Sequence, residues 1–186
     1  MTKKLSLLRH AKSSWDDPVA RDFDRPLNAR GEKAARLMGE WMRGENIAFD
    51  QIVASPAIRV VETLDVVADG YGKRFQPVWE RRIYLASSAT LIDVLKEIDD
   101  DYDHVLMVGH NPGMEDMVLD LVPDRPGPEK SANALRQAVY EKYPTAAYAQ
   151  MELDITSWSD IARNSASLIN FIRPRDLDPE LGPEEF

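Results

Sequence analysis

The 186-residue sequence contains no cysteine and only three histidines. Without cysteine there is no disulfide and no thiolate metal site. No uninterrupted apolar run of about 18 residues occurs, and the opening "LSLL" is too short for a signal peptide and runs straight into Arg9, so the expectation is a soluble cytoplasmic chain with no membrane partner. Positive charge is in deficit: 23 Lys and Arg stand against 32 Asp and Glu, a net charge of −9. An extended nucleic-acid surface needs a basic face, so that class is excluded, and any anion must meet a local cationic pocket. What is present is a hydrophobic fraction of 44%, enough for one core in a chain of this length. With no internal repeat and no linker, the expectation is one domain, residues 1–173, followed by an acidic, proline-rich surface tail, residues 174–186.

Apolar patterning alternates between strand and helix. Leu5 to Leu8 read as a buried strand, and "NARGEKAARLMGEWMRG" as a helix capped by Asn28 and stopped at Gly44. "FDQIVAS" is a second strand, and Ser55-Pro56 opens a second helix through about Asp69. "RFQPVW" is a third strand, Ser88 caps "ATLIDVLKEIDD", and "HVLMVG" is a fourth strand followed by "NPGMEDMVLDL". "VPDRPGPEK", residues 122–130, is a loop that links elements or covers a site; "ANALRQAVYEKY" reads as a helix, and "TAAYAQMELD" and "SASLINFI" as two further strands. The pattern predicts a three-layer α/β/α sandwich on a mostly parallel sheet, whose ligands lie beyond the carboxyl ends of the strands.

His10 follows the first strand and His110 the fourth, so a parallel sheet brings both to one edge although 100 positions separate them. Arg9 stands beside His10. Arg59 lies in the first turn of the helix after the second strand, and its side chain leans back toward that edge. The start of that helix, "SPAIR", adds free N–H groups. Two arginines and two histidines converging at strand ends suit a small dianion, phosphate first. Against this stands an ordinary ion pair between Arg59 and Glu62, three residues on, although Glu62 can equally orient Arg59 for the site.

"LLRHAKSSW", "RPLNARG", "SPAIRVVET" and "VGHNPGM" together resemble the signatures of the histidine phosphatase superfamily, with the phosphoglycerate mutase-like fold, and in particular its SixA-type phosphohistidine phosphatase branch. The resemblance covers residues 3 to about 172. It implies that His10 is the nucleophile that becomes phosphorylated, that Arg9, Arg59 and His110 hold the phosphoryl oxygens, and that no metal or other cofactor is needed. It also places Glu80, directly after the third strand, where larger relatives carry the acid that protonates the leaving oxygen; a surface pair with Arg81 or Arg82 is the competing reading. Ser13 matches a family serine and either donates to phosphate or closes the turn with Ser14. Asn111 either aids the pocket or shapes the turn before Pro112. "Arg-His-Ala" replaces the commoner Arg-His-Gly at Ala11, and Asp16 stands where larger members often carry a phosphate-contacting asparagine.

The chemistry suits these residue types. A neutral imidazole, with an ordinary pKa of about 6.5, attacks phosphorus at neutral pH without a separate base, provided its other nitrogen keeps its proton, which a backbone carbonyl would secure. Guanidinium forks and a second histidine then stabilise the equatorial oxygens. The expected function is a metal-independent phosphatase working through phosphorylated His10, with a phosphohistidine-bearing protein as substrate and partner. The alternatives are a small phosphate ester as substrate, or a non-catalytic phosphate-binding module. A metal site built from His10 and His110 is disfavoured by the adjacent arginines, and a mutase by the lack of a long substrate-covering insertion. His104, at the far end of the fourth strand, is expected to be exposed and to play no catalytic part.

Overall fold

The computed structural model describes residues 2–124 and 130–183, the side chains of 130–132 excepted. The chain runs β1 (Lys3–Arg9), α1 (Ala29–Gly44), β2 (Gln51–Ala54), α2 (Ile58–Tyr71), β3 (Val78–Trp79), α3 (Ser88–Lys96), β4 (His104–Gly109), α4 (Gly113–Leu121), α5 (Lys130–Glu141), β5 (Tyr148–Leu153), β6 (Ala166–Ile172) and α6 (Pro174–Leu177). The strands form one sheet in the order β3-β2-β4-β1-β5-β6. The first four are mutually parallel; β5 pairs antiparallel with β1, and β6 antiparallel with β5.

Strand alternation sends successive side chains to opposite layers. Leu5, Leu7, Val105 and Met107 pack with Leu91, Val94, Met114, Met117 and Val139 of α3, α4 and α5 on one face. Leu8, Leu106 and Val108 pack with Ala35, Met38, Val60 and Leu64 of α1 and α2 on the other. The result is the expected three-layer α/β/α sandwich on a mostly parallel sheet. Among the described residues no helix is long and apolar enough to cross a membrane.

Some expectations are corrected. The third strand shrinks to Val78–Trp79, exposed at the sheet edge, because Pro77 has no N–H to give a ladder. Ser87 rather than Ser88 caps α3: Ser87 has the extended backbone, and its Oγ accepts from the Thr90 N–H at 3.3 Å. His104 is half-buried, bonded to Ser6 Oγ at 2.8 Å and edge-on to Phe49 at 4.9 Å, because its strand end is covered rather than open. Residues 125–129 of the expected covering loop lie outside the described residues. Of the expected surface tail, residues 174–183 lie along α1, with Lys33 pairing to Asp178 at 2.8 Å and Arg30 donating to the Glu180 carbonyl at 3.0 Å.

The topology decides what meets at one edge. β1, β2 and β4 end there, while antiparallel β5 begins and β6 ends there, since Leu8 faces Tyr148 and Tyr148 faces Ile172. The loop after β1 is clamped to the start of α1. Asn28 caps α1 by accepting from the Gly31 N–H at 2.8 Å, and the Asn28 N–H donates to the Lys12 carbonyl at 3.0 Å. A Cβ on Gly31 would sit 2.1 Å from that Lys12 oxygen, a backbone atom that cannot swing away. Gly31→Ala is therefore expected to destabilise the fold by about 1–3 kcal/mol through overpacking, read from the urea midpoint, and to lower turnover by displacing the loop that carries His10.

Candidate active site

His10 is buried at the end of β1. Its Nδ1 lies 2.8 Å from the Ala11 carbonyl oxygen. A carbonyl only accepts, so Nδ1 carries the proton, and Nε2 is left with its lone pair. The His110 ring lies 5.3 Å away, centroid to centroid. Arg59 Nη2 is 3.3 Å from His110 Nδ1. A guanidinium only donates, so His110 carries its proton on Nε2, which donates to Ser55 Oγ at 2.8 Å.

The arginines are held by groups the sequence reading passed over. Arg59 does not pair with Glu62, which accepts instead from the Leu27 N–H at 2.7 Å. Its partner is Asp22, in a short 3-10 helix over Asp22–Asp24: Nη1 donates to the Asp22 carbonyl at 2.7 Å and Nη2 to Oδ2 at 3.0 Å. Tyr84 donates to the same Oδ2 at 2.6 Å, and Arg25 reaches Oδ1 through Nη2 at 3.0 Å. Arg25 is buried, contacts Ser13 Oγ and lies 3.5 Å over the Trp15 ring. Arg9 donates from Nη1 to the Tyr143 carbonyl at 2.9 Å. Arg9 Nε and Arg59 Nε are both buried with no hydrogen-bond partner among the described residues. Two unpaired guanidinium donors beside a nucleophilic nitrogen fit the tetrahedral oxygens of a phosphoryl group.

The other expected residues divide. Ser13 Oγ takes its bond from Arg25 and Ser13 bridges to Leu27, so it braces the loop. Asn111 donates to the Tyr143 carbonyl at 3.0 Å and accepts from the Glu115 N–H at 3.3 Å, which shapes the start of α4. Glu80 bonds Arg82, through its backbone N–H at 3.0 Å and its guanidinium at 3.0 Å, and none of these bonds goes to His10, His110, Arg9 or Arg59. Arg82 holds the Glu80 carboxyl below the usual carboxylate range. Glu115 goes the other way: burial and then Asp116 raise it, against the pull of Arg9. Asp22, Arg25 and Tyr84 are the residues that sequence reasoning missed. Arg25 sits inside the quoted "RPLNARG" and was the one legible signal; Asp22 and Tyr84 belong to loops without pattern.

Comparison with known proteins bears on the whole chain. The family model of the histidine phosphatase superfamily (branch 1) matches residues 5–82. An uncharacterized protein of Mycobacterium tuberculosis is 31% identical over 168 residues, covering 90% of this chain and all of the relative. The chain belongs to the histidine phosphatase superfamily. A solved structure from Nakamurella multipartitia, assigned to phosphohistidine phosphatase SixA, superimposes with a TM-score of 0.78 at 27% identity, covering 94% of this chain and 97% of that one. A SixA-assigned structure from Agrobacterium tumefaciens gives 0.72 at 26%, covering 92% and 98%.

The electrostatics of this histidine phosphatase keep its imidazoles neutral. Burial pushes His10 down to about 3; the charges of Arg9, Arg59 and Arg25 add to that, and the Ala11 bond opposes it. Burial, with His10 and Arg59, does the same to His110, to about 3. Burial, with Lys4, brings His104 to about 4. Asp22 is pushed up by burial, but the bonds from Tyr84, Arg25 and Arg59 outweigh this and hold it at about 2. Between its folded pKa and about 6.5 each histidine takes a proton only in the unfolded chain. Its stabilising share is therefore complete above about pH 6.5 and is lost as pH falls toward about 3 for His10 and His110 and about 4 for His104. Following the three histidine Cε1 protons by NMR should show no titration from pH 8 to 5, and urea midpoints should fall as pH drops through that lower range; a ring titrating near 6.5 would contradict the burial.

Proposed function

We propose that this histidine phosphatase is a cytoplasmic, metal-independent phosphohistidine phosphatase whose partner is a phosphorylated protein, with no nucleic-acid or membrane partner. The observation that carries the reading is the His10 Nδ1 bond to the Ala11 carbonyl beside two buried, unpartnered guanidinium Nε groups. The Nε2 lone pair attacks phosphorus, and the bond to the departing nitrogen breaks with its electron pair on that nitrogen. Arg9 and Arg59 meet the charge on the equatorial oxygens, and His110 completes the pocket wall. Water then attacks the phosphorylated His10, releasing inorganic phosphate and the neutral imidazole. Guanidinium charge fills the role that metal ions take in other phosphatases.

The leaving group supports a P–N substrate. A phosphorylated imidazole departs readily, whereas an alkoxide needs a proton. Glu80 stays ionised against Arg82 and is poorly placed to supply one. The second reading, a small phosphate monoester phosphatase, draws on Glu115, whose raised carboxyl interacts with Arg9.

His10→Ala should abolish turnover with the fold intact by circular dichroism, and acid-free quenching of the wild type should trap phosphate on His10. Activity on a phosphohistidine protein should survive exhaustive chelation; dependence on added zinc or magnesium would overturn metal independence.

A leaving-group series separates the two substrate readings. For P–N specificity, Glu80→Gln and Glu115→Gln should each change turnover of phosphohistidine, aryl and alkyl phosphates alike and by a small factor. If either carboxyl is a general acid, its variant should lose about 10²- to 10⁴-fold on alkyl phosphates and little on phosphohistidine.

A further inference from the structure

A cavity of about 390 Å³ adjoins the candidate active site through Arg9. Arg9, Lys12, Arg30, Lys142, Arg173 and Arg175 line it, and no carboxylate does among the described residues. The topology gathers them from four segments. Arg9 and Lys12 flank the nucleophile, Arg30 opens α1, Lys142 precedes β5, and Arg173 and Arg175 follow β6, all at the edge where His10 lies. In a chain of net charge −9, this is a local concentration of positive charge. Part of the charge is answered locally: Arg173 pairs with Asp176 at 3.0 Å, Arg30 donates to the carbonyls of Glu180 and Gly182, and Lys12 too is not without a partner, which leaves Lys142 and Arg175 as the cations on which the inference chiefly rests. Arg9 lines this cavity and also stands beside His10, with its Nε buried and unpartnered among the described residues. Pro144, Thr145, Pro174 and Leu181 supply the less polar wall, and the volume falls within the range of small-molecule sites, about 300–1,000 Å³.

We propose that this cavity is an accessory subsite for a second anionic group of the substrate, a phosphate or carboxylate carried beside the phosphoryl group that is transferred. The inference rests on the phosphatase reading above and narrows its substrate class to molecules with at least two anionic centres. The second anion has two sources, another phosphate on a small molecule or an acidic side chain next to a phosphohistidine.

The test uses the full chain and two matched pairs. One is an alkyl monophosphate and the same alkyl chain with a second phosphate; the other is a phosphohistidine peptide with acidic or neutral flanking residues. The doubly anionic member of at least one pair should be favoured by about tenfold or more in kcat/KM, through KM, and the pair that shows it identifies the source. Lys142→Glu with Arg175→Glu should erase that ratio. Lys73→Glu with Arg74→Glu, an equal change of charge at the opposite edge of the sheet beside Gln76 and Val78, should keep it.

Equal kcat/KM within both pairs, or a ratio untouched by the first double variant, overturns the subsite. Binding of inorganic pyrophosphate, measured by calorimetry without turnover, should weaken about tenfold in the first double variant and stay within twofold or so in the second. If no substrate is turned over, the phosphatase reading fails while this binding result still decides the subsite: undiminished pyrophosphate binding in Lys142→Glu with Arg175→Glu rejects it. Thermal melts of both variants separate loss of binding from loss of fold.

Discussion

The Asp22 carboxylate is what allows so much positive charge to gather at one sheet edge. It receives Arg59 and Tyr84 on one oxygen and Arg25 on the other, while its own backbone carbonyl takes a further bond from Arg59. Removing a carboxylate from such a set leaves a buried guanidinium without a counter-charge, which costs far more than the pair itself contributes. Asp22 also decides which edge of Arg59 is spent. Both terminal nitrogens are committed, to Asp22 and to His110, and Nε is the donor left over. Arg9 is treated alike, with one terminal nitrogen tied to the Tyr143 carbonyl and Nε left without a partner.

Neutral histidines follow first from burial. An imidazolium at His10 would be stripped of water and would also face Arg9, Arg59 and Arg25, so the nucleophilic form is present well below neutral pH. The cations thus serve twice: before an anion arrives they add to the effect of burial on the imidazole, and once it arrives they meet its charge.

Much of this was legible in the sequence because strand order is coarse information and strand ends carry it. His10 and His110 could be brought together from parallel pairing alone, and the β1 and β4 register bears this out, with Arg9 opposite Gly109. Arg59 followed from the lean of helical side chains. The partners of these residues were not legible, because Asp22, Arg25 and Tyr84 sit on connections whose path no periodicity describes. The Arg59 to Glu62 pairing failed for a related reason: the spacing permits it on an open helix, but Arg59 is buried and turned to the edge, while Glu62 answers the Leu27 N–H of the incoming loop. Glu80 stood in the right place by counting, yet its bonds run outward to Arg82, and counting along a chain does not report direction.

A hydroxyl links the loop of the nucleophile to the helix that carries Arg59. Thr63 Oγ1 accepts from the Ala11 N–H at 2.9 Å and donates to the Arg59 carbonyl at 2.5 Å. The same Ala11 peptide therefore holds His10 through its carbonyl and α2 through its N–H. Ala11 is fully buried and belongs to the same core cluster as Leu8, Ala57 and Val60, so its methyl fills space in that layer. Because Thr63 lies one turn after Arg59, a shift of α2 along its axis would pull on the Ala11 peptide and turn the imidazole with it. The backbone that carries His10 and the backbone that carries Arg59 are in this way tied through one small buried group, while Asp22 and His110 hold the Arg59 guanidinium.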